Sequence, residues 1–390
     1  MVCDSKRKAI VIACPVLNRV GGMESYVRDH ALGYKQRGWD VHVIVTNARG
    51  NYFEEMSRHV SCHDFSEIPL SLAKVRRAAE LINQINPLIL QCNHAPLVHY
   101  AFPLLKPGIK PVVVVHSSTE DFFQIATIMK KNVWRWVCPS PALAGKLRRY
   151  LPTKSEKRIV VIPHGVNELL FQPSSEGIRE PEFTIVFCGS FLPHKGVDLL
   201  PGILSGVLRA IPQARLVIIG DGASVEEVQS EFCKLGVEHA VTWCGHLTQA
   251  EVAAQFKMAD VFLLPTRIEG FGLVIIEAML AELVPIVTRL DGITDSIVKE
   301  KETGFLVALN DDDGFAIRII HLYQNPDLLL KLRFQARNDS LARFTSDTMF
   351  NRYEHLFADV EDRSGRKKPD SSMMWRVSVL YELVRKKLLS

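Results

Sequence analysis

Residues 261–277 read Val261-Phe262-Leu263-Leu264-Pro265-Thr266-Arg267-Ile268-Glu269-Gly270-Phe271-Gly272-Leu273-Val274-Ile275-Ile276-Glu277. Four apolar residues deliver the chain to Pro265, glycines at 270 and 272 bare the backbone, and an apolar run resumes near Gly272 with helical character. A short continuous apolar strand, a glycine-bearing loop and then a helix form the repeating unit of a parallel sheet, since parallel neighbours need a crossover connection. On this reading Glu269 stands at the mouth of the helix and Glu277 more than a turn inside it. Two carboxylates so placed accept hydrogen bonds from separate hydroxyl pairs, while the bare amides of Phe271, Gly272 and Leu273 face an anion such as a diphosphate. A bland reading of Glu269, an acid favoured by the helix dipole, competes. Glycines flanking the turn make it less comfortable.

Working outward, the same alternation fills the chain. Apolar strands are expected at 184–188, 216–219, 241–244, 284–288 and 305–307 on either side of this stretch, and at 9–14, 41–45, 88–92, 112–116, 133–138 and 159–162 before it. Helices are expected up to about residue 37, over 73–85 and over 142–150. Continuous Val/Ile/Leu runs between helices imply parallel strands covered on both faces. Pro173, Gly177 and Pro181 mark a linker. The economical architecture is α/β, two Rossmann-like doubly wound parallel-sheet domains. Their expected bounds are 1–168 and 183–345, with a linker at 169–182, a crossing helix at 346–360 and a tail at 361–390. Ligands of such sheets bind beyond the carboxyl ends of the strands.

Three further loops occupy that position. Gly21-Gly22-Met23-Glu24 joins the first strand to a helix, where small residues admit a ligand to the backbone; an ordinary tight turn has the same composition. Gly189-Ser190-Phe191-Leu192-Pro193-His194-Lys195-Gly196 holds the equivalent place in the second half, and Lys195 there can neutralise a phosphate. His116 ends a run of four valines and is directed at a sheet's carboxyl edge, although lone histidines are commonly structural.

Composition narrows the classes. The 390 residues are 47% apolar and 23% charged, which suits a globular chain with a large core. Uncharged stretches such as 95–105 and 199–208 fall well short of the roughly 20 residues a membrane-spanning helix needs. The apolar run at 9–14 stops at Pro15, too short for a signal peptide, so a cytoplasmic chain is expected. Eight cysteines occur singly without metal-ligand spacing. Residues 361–390 contain eight basic and four acidic side chains, and the rest balances at 39 of each, so the net charge of +4 resides in the tail. No nucleic-acid-binding surface is implied. Asp311-Asp312-Asp313 follows a strand and precedes a helix, so a capped turn explains it better than a metal site.

At these loops the chain resembles the retaining glycosyltransferases of family 4, which have the GT-B fold. The resemblance runs from about residue 10 to 360, in the family's order. It includes Gly21-Gly22, His116, Ile162-Pro163-His164-Gly165-Val166-Asn167, Gly189 with Lys195-Gly196, Gly220-Asp221-Gly222, Gly245, Glu269 to Glu277, and Thr303-Gly304-Phe305-Leu306-Val307. It implies a cleft between two domains, closing on a nucleotide-sugar donor, and transfer to a saccharide or lipid-linked acceptor with no cofactor and no catalytic metal. By resemblance Glu277 accepts the ribose hydroxyls, and Glu269 with Gly270, Phe271, Gly272 and Leu273 holds sugar and diphosphate. Lys195 offsets charge on the leaving diphosphate, His116 touches the transferred sugar, Gly245 and His246 line the base, and Gly21, Gly22 and Glu24 lie on the phosphate or acceptor side. A UDP-linked donor, hexosyl transfer and polysaccharide or glycoconjugate biosynthesis are the implied setting.

Two departures stand out. Ser190 occupies the place of an expected arginine, so one of two diphosphate cations is missing unless another, such as Arg267, substitutes. His164 and Asn167 replace an asparagine and an aspartate. In the tail, Met373, Val377, Leu380, Tyr381, Val384 and Leu388 recur at helical spacing, with Trp375 and basic residues elsewhere around the helix. Two readings remain open, a helix lying on an anionic membrane and one docked on the chain's own first domain. The Ser190 departure also leaves open a non-catalytic nucleotide-sugar-binding subunit, and the fold an epimerase of sugar nucleotides.

Overall fold

Each sheet is parallel throughout, and the strand order explains where the functional loops gather. The computed structural model describes residues 8–18, 21–69, 71–173 and 183–361. The expected linker positions 174–182 and the amphipathic tail beyond residue 361 lie outside the described residues.

The described residues form two units, one from residues up to 139, 143–162 and 350–361, the other from 140–142 and 163–349. In the first, seven strands are β1 (Ala9–Val16), β2 (Asp40–Ala48), β3 (Ser61–Asp64), β4 (Ile89–Asn93), β5 (Lys110–Val114), β6 (Arg135–Cys138) and β7 (Ile159–Val161). In the second, six are β8 (Thr184–Cys188), β9 (Arg215–Ile219), β10 (Val241–Gly245), β11 (Val261–Leu264), β12 (Val284–Thr288) and β13 (Phe305–Val307). The helices are α1 (Gly22–Gln36), α2 (Phe53–Ser57), α3 (Leu72–Ile85), α4 (Pro96–Ala101), α5 (Glu120–Ala126), α6 (Pro141–Arg148), α7 (Leu200–Leu208), α8 (Val225–Lys234), α9 (Gln249–Phe256), α10 (Leu273–Leu280), α11 (Asp312–Gln324), α12 (Pro326–Arg343) and α13 (Ser346–Glu361).

The sheet orders are β3-β2-β1-β4-β5-β6-β7 and β10-β9-β8-β11-β12-β13. Both run outward in one direction from the first strand and then in the other from the fourth, the doubly wound pattern that opens a crevice at the switch between them. In the first unit the switch lies between β1 and β4; in the second it lies between β8 and β11, paired at Val261↔Ile185 and Phe262↔Val186. The central strands are apolar because helices cover both faces: Ile10 to Cys14 and Val261 to Leu264 are all buried.

Several element limits differ from the sequence reading, and one strand, β3, was not expected. β5 ends at Val114, so Val115 and His116 belong to the loop that follows. β3 has no apolar run; it is a four-residue edge strand of Ser61, Cys62, His63 and Asp64, paired with β2 on one side only. Polar side chains at an edge discourage pairing with another chain, which also hides the strand from any hydrophobicity pattern. Asp311 caps α11 through its carboxylate, which accepts from the Gly314 amide at 2.9 Å, in line with the capped-turn reading. Among the described residues no helix is long and apolar enough to cross a membrane.

Candidate active site

In the second unit the loops after β8 and β11 flank the switch point, and they are stitched together by backbone. The His194 carbonyl accepts from the Arg267 amide at 2.8 Å and from Thr266 Oγ1 at 3.2 Å. Gly196 adopts φ +68°, and a Cβ there would lie 1.9 Å from the Pro265 carbonyl oxygen. Only glycine lets the two loops approach this closely while the chain turns left-handed.

The junction carries the central ion pair. Lys195 Nζ donates to Glu269 Oε1 at 2.5 Å. Glu269 is buried although it is ionisable, and the lysine pairs it there. Glu277, inside α10, accepts from Gln249 Nε2 at 3.2 Å. Gln249 is the first residue of α9, set there by a capping box between Thr248 and Glu251. Cys188, the last residue of β8, lies within electrostatic reach of both Glu277 and Lys195; burial pushes its thiol up, and the Glu277 charge adds to the effect. His194 is held below the ordinary imidazole range by burial and then by the Lys195 charge, with Glu269 opposing. Lys195, Glu269 and Glu277 are thus gathered around the end of β8.

Gly272, with φ +100°, is the N-cap of α10, so Phe271 and Gly272 lead directly into its first residue, Leu273. Phe271 is buried, its ring edge against His164 at 5.3 Å between centroids. That contact gives His164 a packing role in the segment where the family resemblance leads one to expect asparagine. Gly165 beside it sits so near the chain that a Cβ would be 2.6 Å from the Thr345 carbonyl oxygen. Gly245 ends β10 with φ +61° and accepts the Gly220 amide at 2.8 Å; His246 follows it.

Ser190 is exposed on its loop. Arg267, the alternative to the missing arginine, is already engaged by its neighbours. Its guanidinium donates to Asp198 at 2.6 and 2.7 Å, to the Pro193 carbonyl at 2.8 Å and to Asn310 at 2.7 Å, so all three nitrogens are engaged. Arg267 links the two loops, and the Asp198 carboxyl is held below the usual range chiefly by its hydrogen bond to this side chain.

The remaining predicted residues lie in the first unit. Gly21 adopts φ +130°, and the Glu24 carboxylate folds back over it, where a Cβ would fall 2.1 Å from Oε2. Burial raises the Glu24 carboxyl. Gly22 begins α1. His116 Nε2 meets Asn93 Oδ1 at 2.9 Å, and the Tyr26 ring stands edge-on to it at 4.7 Å. His94, next to Asn93 at the end of β4, has φ +51°, stacks on Phe122 at 3.9 Å and lies 3.7 Å from Asp121. Asn93, His94 and Gln249 are the polar residues at these strand ends and helix starts that the sequence reading missed. Among the described residues no group of three or more His, Cys, Asp or Glu is placed to hold a metal ion.

Comparison with known proteins gives the site its family. Residues 20–168 match the model of Glycosyltransferase Family 4, and residues 170–339 match that of Glycosyl transferases group 1. The chain belongs to the group 1 glycosyltransferases. This glycosyltransferase is 29% identical to the N-acetyl-alpha-D-glucosaminyl L-malate synthase of Bacillus anthracis over 357 residues, 85% of this chain and 92% of that one. It is 26% identical to the alpha-monoglucosyldiacylglycerol synthase of Acholeplasma laidlawii over 249 residues, and there the match spans only 61% of either chain. Among solved structures it is similar to HepE of Anabaena in complex with UDP and glucose, with TM-score 0.77 and 17% identity, over 90% of this chain and all of that one. That likeness concerns the fold, which is GT-B. The glycosyltransferase is therefore an enzyme, and its two Rossmann-like units are those of its structural neighbours.

Proposed function

We propose that the enzyme moves a hexose from a UDP-sugar to a saccharide or lipid-linked saccharide, with retention at the anomeric carbon and without a catalytic metal. The observation that carries this reading is the Lys195–Glu269 pair beside the glycine turn before α10. A diphosphate leaving group needs positive charge in a site shielded from water, and a partly buried lysine supplies it. Amides of Phe271, Gly272 and Leu273 supply directed bonds to the same anion at a helix start. Glu277, held by Gln249, takes the two ribose hydroxyls as a bidentate acceptor. In the first unit His116 is the residue assigned to the sugar, and Gly21, Gly22 and Glu24 to the phosphate or acceptor side.

The chemistry is a front-face displacement. The acceptor oxygen bonds to the anomeric carbon as the bond from that carbon to the phosphate oxygen breaks, and the acceptor proton passes to the departing phosphate. Both events occupy one face of the sugar, so configuration is retained. The UDP assignment takes support from the UDP named with HepE, and the lipid-linked acceptor from the diacylglycerol product named for the Acholeplasma relative. A cytoplasmic enzyme, peripheral to a membrane through its basic tail, fits such an acceptor.

Incubating the purified full chain with UDP-, GDP- and ADP-hexoses, with and without saccharide and lipid-linked acceptors, tests the proposal. Acceptor-dependent release of UDP with an α-linked product from an α-linked donor is expected, unchanged by EDTA. Transfer only from GDP- or ADP-sugars, an inverted product, loss of activity in EDTA, or a changed sugar without any acceptor would each overturn the corresponding part.

A further inference from the structure

A hydrogen-bonded chain links β1, the end of β4 and the loop after β5 in the first unit. Asn93, the last residue of β4, is fully buried. Its Nδ2 donates to the Ala13 carbonyl of β1 at 3.2 Å, and its Oδ1 meets His116 Nε2, in the loop after β5, at 2.9 Å. The order matters. Turning the Asn93 amide over would set its oxygen against the Ala13 carbonyl, two acceptors facing each other in a site without solvent. The orientation is therefore fixed by β1, and Oδ1 accepts only a proton that His116 carries on Nε2. A neutral imidazole has one proton, so Nδ1 is then restricted to accepting.

The ring plane is fixed as well. Tyr26 on α1 stands edge-on to His116 at 4.7 Å, and its hydroxyl is hydrogen-bonded to that of Tyr353 on α13 at 2.6 Å. His30, also on α1, is packed against Tyr26 at 3.8 Å and buried without exposure.

We propose that Asn93 is a positioning residue that holds His116 as the Nε2-protonated tautomer, so that a ligand hydroxyl meeting Nδ1 must donate to it. This deepens the proposed function and rests on its assignment of His116 to the sugar. A wrong tautomer at a residue of this kind misdirects its hydrogen bond even when the ring is in place.

The test uses the full chain labelled with ¹⁵N-histidine. Long-range imidazole correlations are recorded at neutral pH, and His116 is assigned by the signals lost in His116→Asn. The expected wild-type pattern has the proton on Nε2. Asn93→Ala shifts the population toward the other tautomer and lowers kcat by about tenfold. A wild-type His116 protonated on Nδ1, or a folded Asn93→Ala with an unchanged pattern, overturns the proposal; should Asn93→Ala fail to fold, the wild-type pattern decides it. Unchanged turnover in His116→Ala with the expected tautomer would instead refute the assignment of His116 to the sugar and leave the Asn93 relay standing.

Discussion

Lys195 and Glu269 form a hydrogen-bonded ion pair of 2.5 Å whose side chains are only 18% and 8% exposed. The pair joins loops that are 74 residues apart in sequence, at the point where β8 and β11 separate. Its position makes two kinds of cost separable.

Removing one partner of a buried pair leaves a charge without compensation, which costs about 3–5 kcal/mol; Lys195 retains some solvent, so Lys195→Met is expected near the lower figure. Chemical denaturation measures it. The double variant Lys195→Met/Glu269→Leu should regain much of that stability and none of the activity, because the cation for the diphosphate is still missing. Turnover in both should fall by roughly 100-fold or more. A double variant that recovered transfer would show the pair to be structural alone.

At Ser190 an arginine has space, since the serine is exposed, and Arg267 is paired with Asp198. Ser190→Arg is expected to retain turnover and to bind UDP about tenfold more tightly by calorimetry, given about 1.5–3 kcal/mol for a charge-assisted bond less the ordering of the side chain. Complete inactivity of a folded Ser190→Arg would mean that the serine itself is required.

Gly196 and Gly236 share φ +68°, yet their surroundings differ. A Cβ on Gly196 meets the Pro265 carbonyl at 1.9 Å, whereas one on Gly236 meets nothing within 4 Å. Gly236→Ala should therefore cost only the left-handed strain, about 1–2 kcal/mol, and leave kinetics unchanged. Gly196→Ala adds a backbone clash that must push the Lys195 loop away from the Glu269 loop. Donor binding, read as the thermal shift with UDP, is expected to vanish in that variant and persist in the other.

This contrast marks what was readable in the chain beforehand. The strand and helix alternation, both doubly wound sheets and the loops at 189–196 and 265–272 follow from apolar runs and glycines, which act locally. The polar edge strand at Ser61–Asp64 offers no apolar run, so it was missed. Arg267 looked like a spare cation because its partners, Asp198 and Asn310, are 69 and 43 residues away. Asn93 and Gln249 escaped for the same reason: each matters through a bond to a distant strand or helix. Gln249 alone had a usable signal, the Thr248–Glu251 capping box that makes it the first residue of a helix.

Acid should destabilise the enzyme through buried imidazoles of the first unit. His99, fully buried on α4 and stacked on Phe102, has its pKa pushed down to about 3 by burial, the nearby His94 adding to the effect and the Ile128 backbone opposing it. His30 is likewise held well below its ordinary value, first by burial and then by His116. In the unfolded chain both return to about 6.5. Between that value and the folded one, the unfolded state binds more protons, so stability rises with pH and is lost as pH falls through the window. For a single histidine that stays neutral when folded, the loss from pH 7.5 to 5 is about 2 kcal/mol. Denaturant midpoints over this range should therefore fall steadily in the wild type and more shallowly in His99→Leu. A slope identical in the two proteins would show that His99 takes up its proton without unfolding.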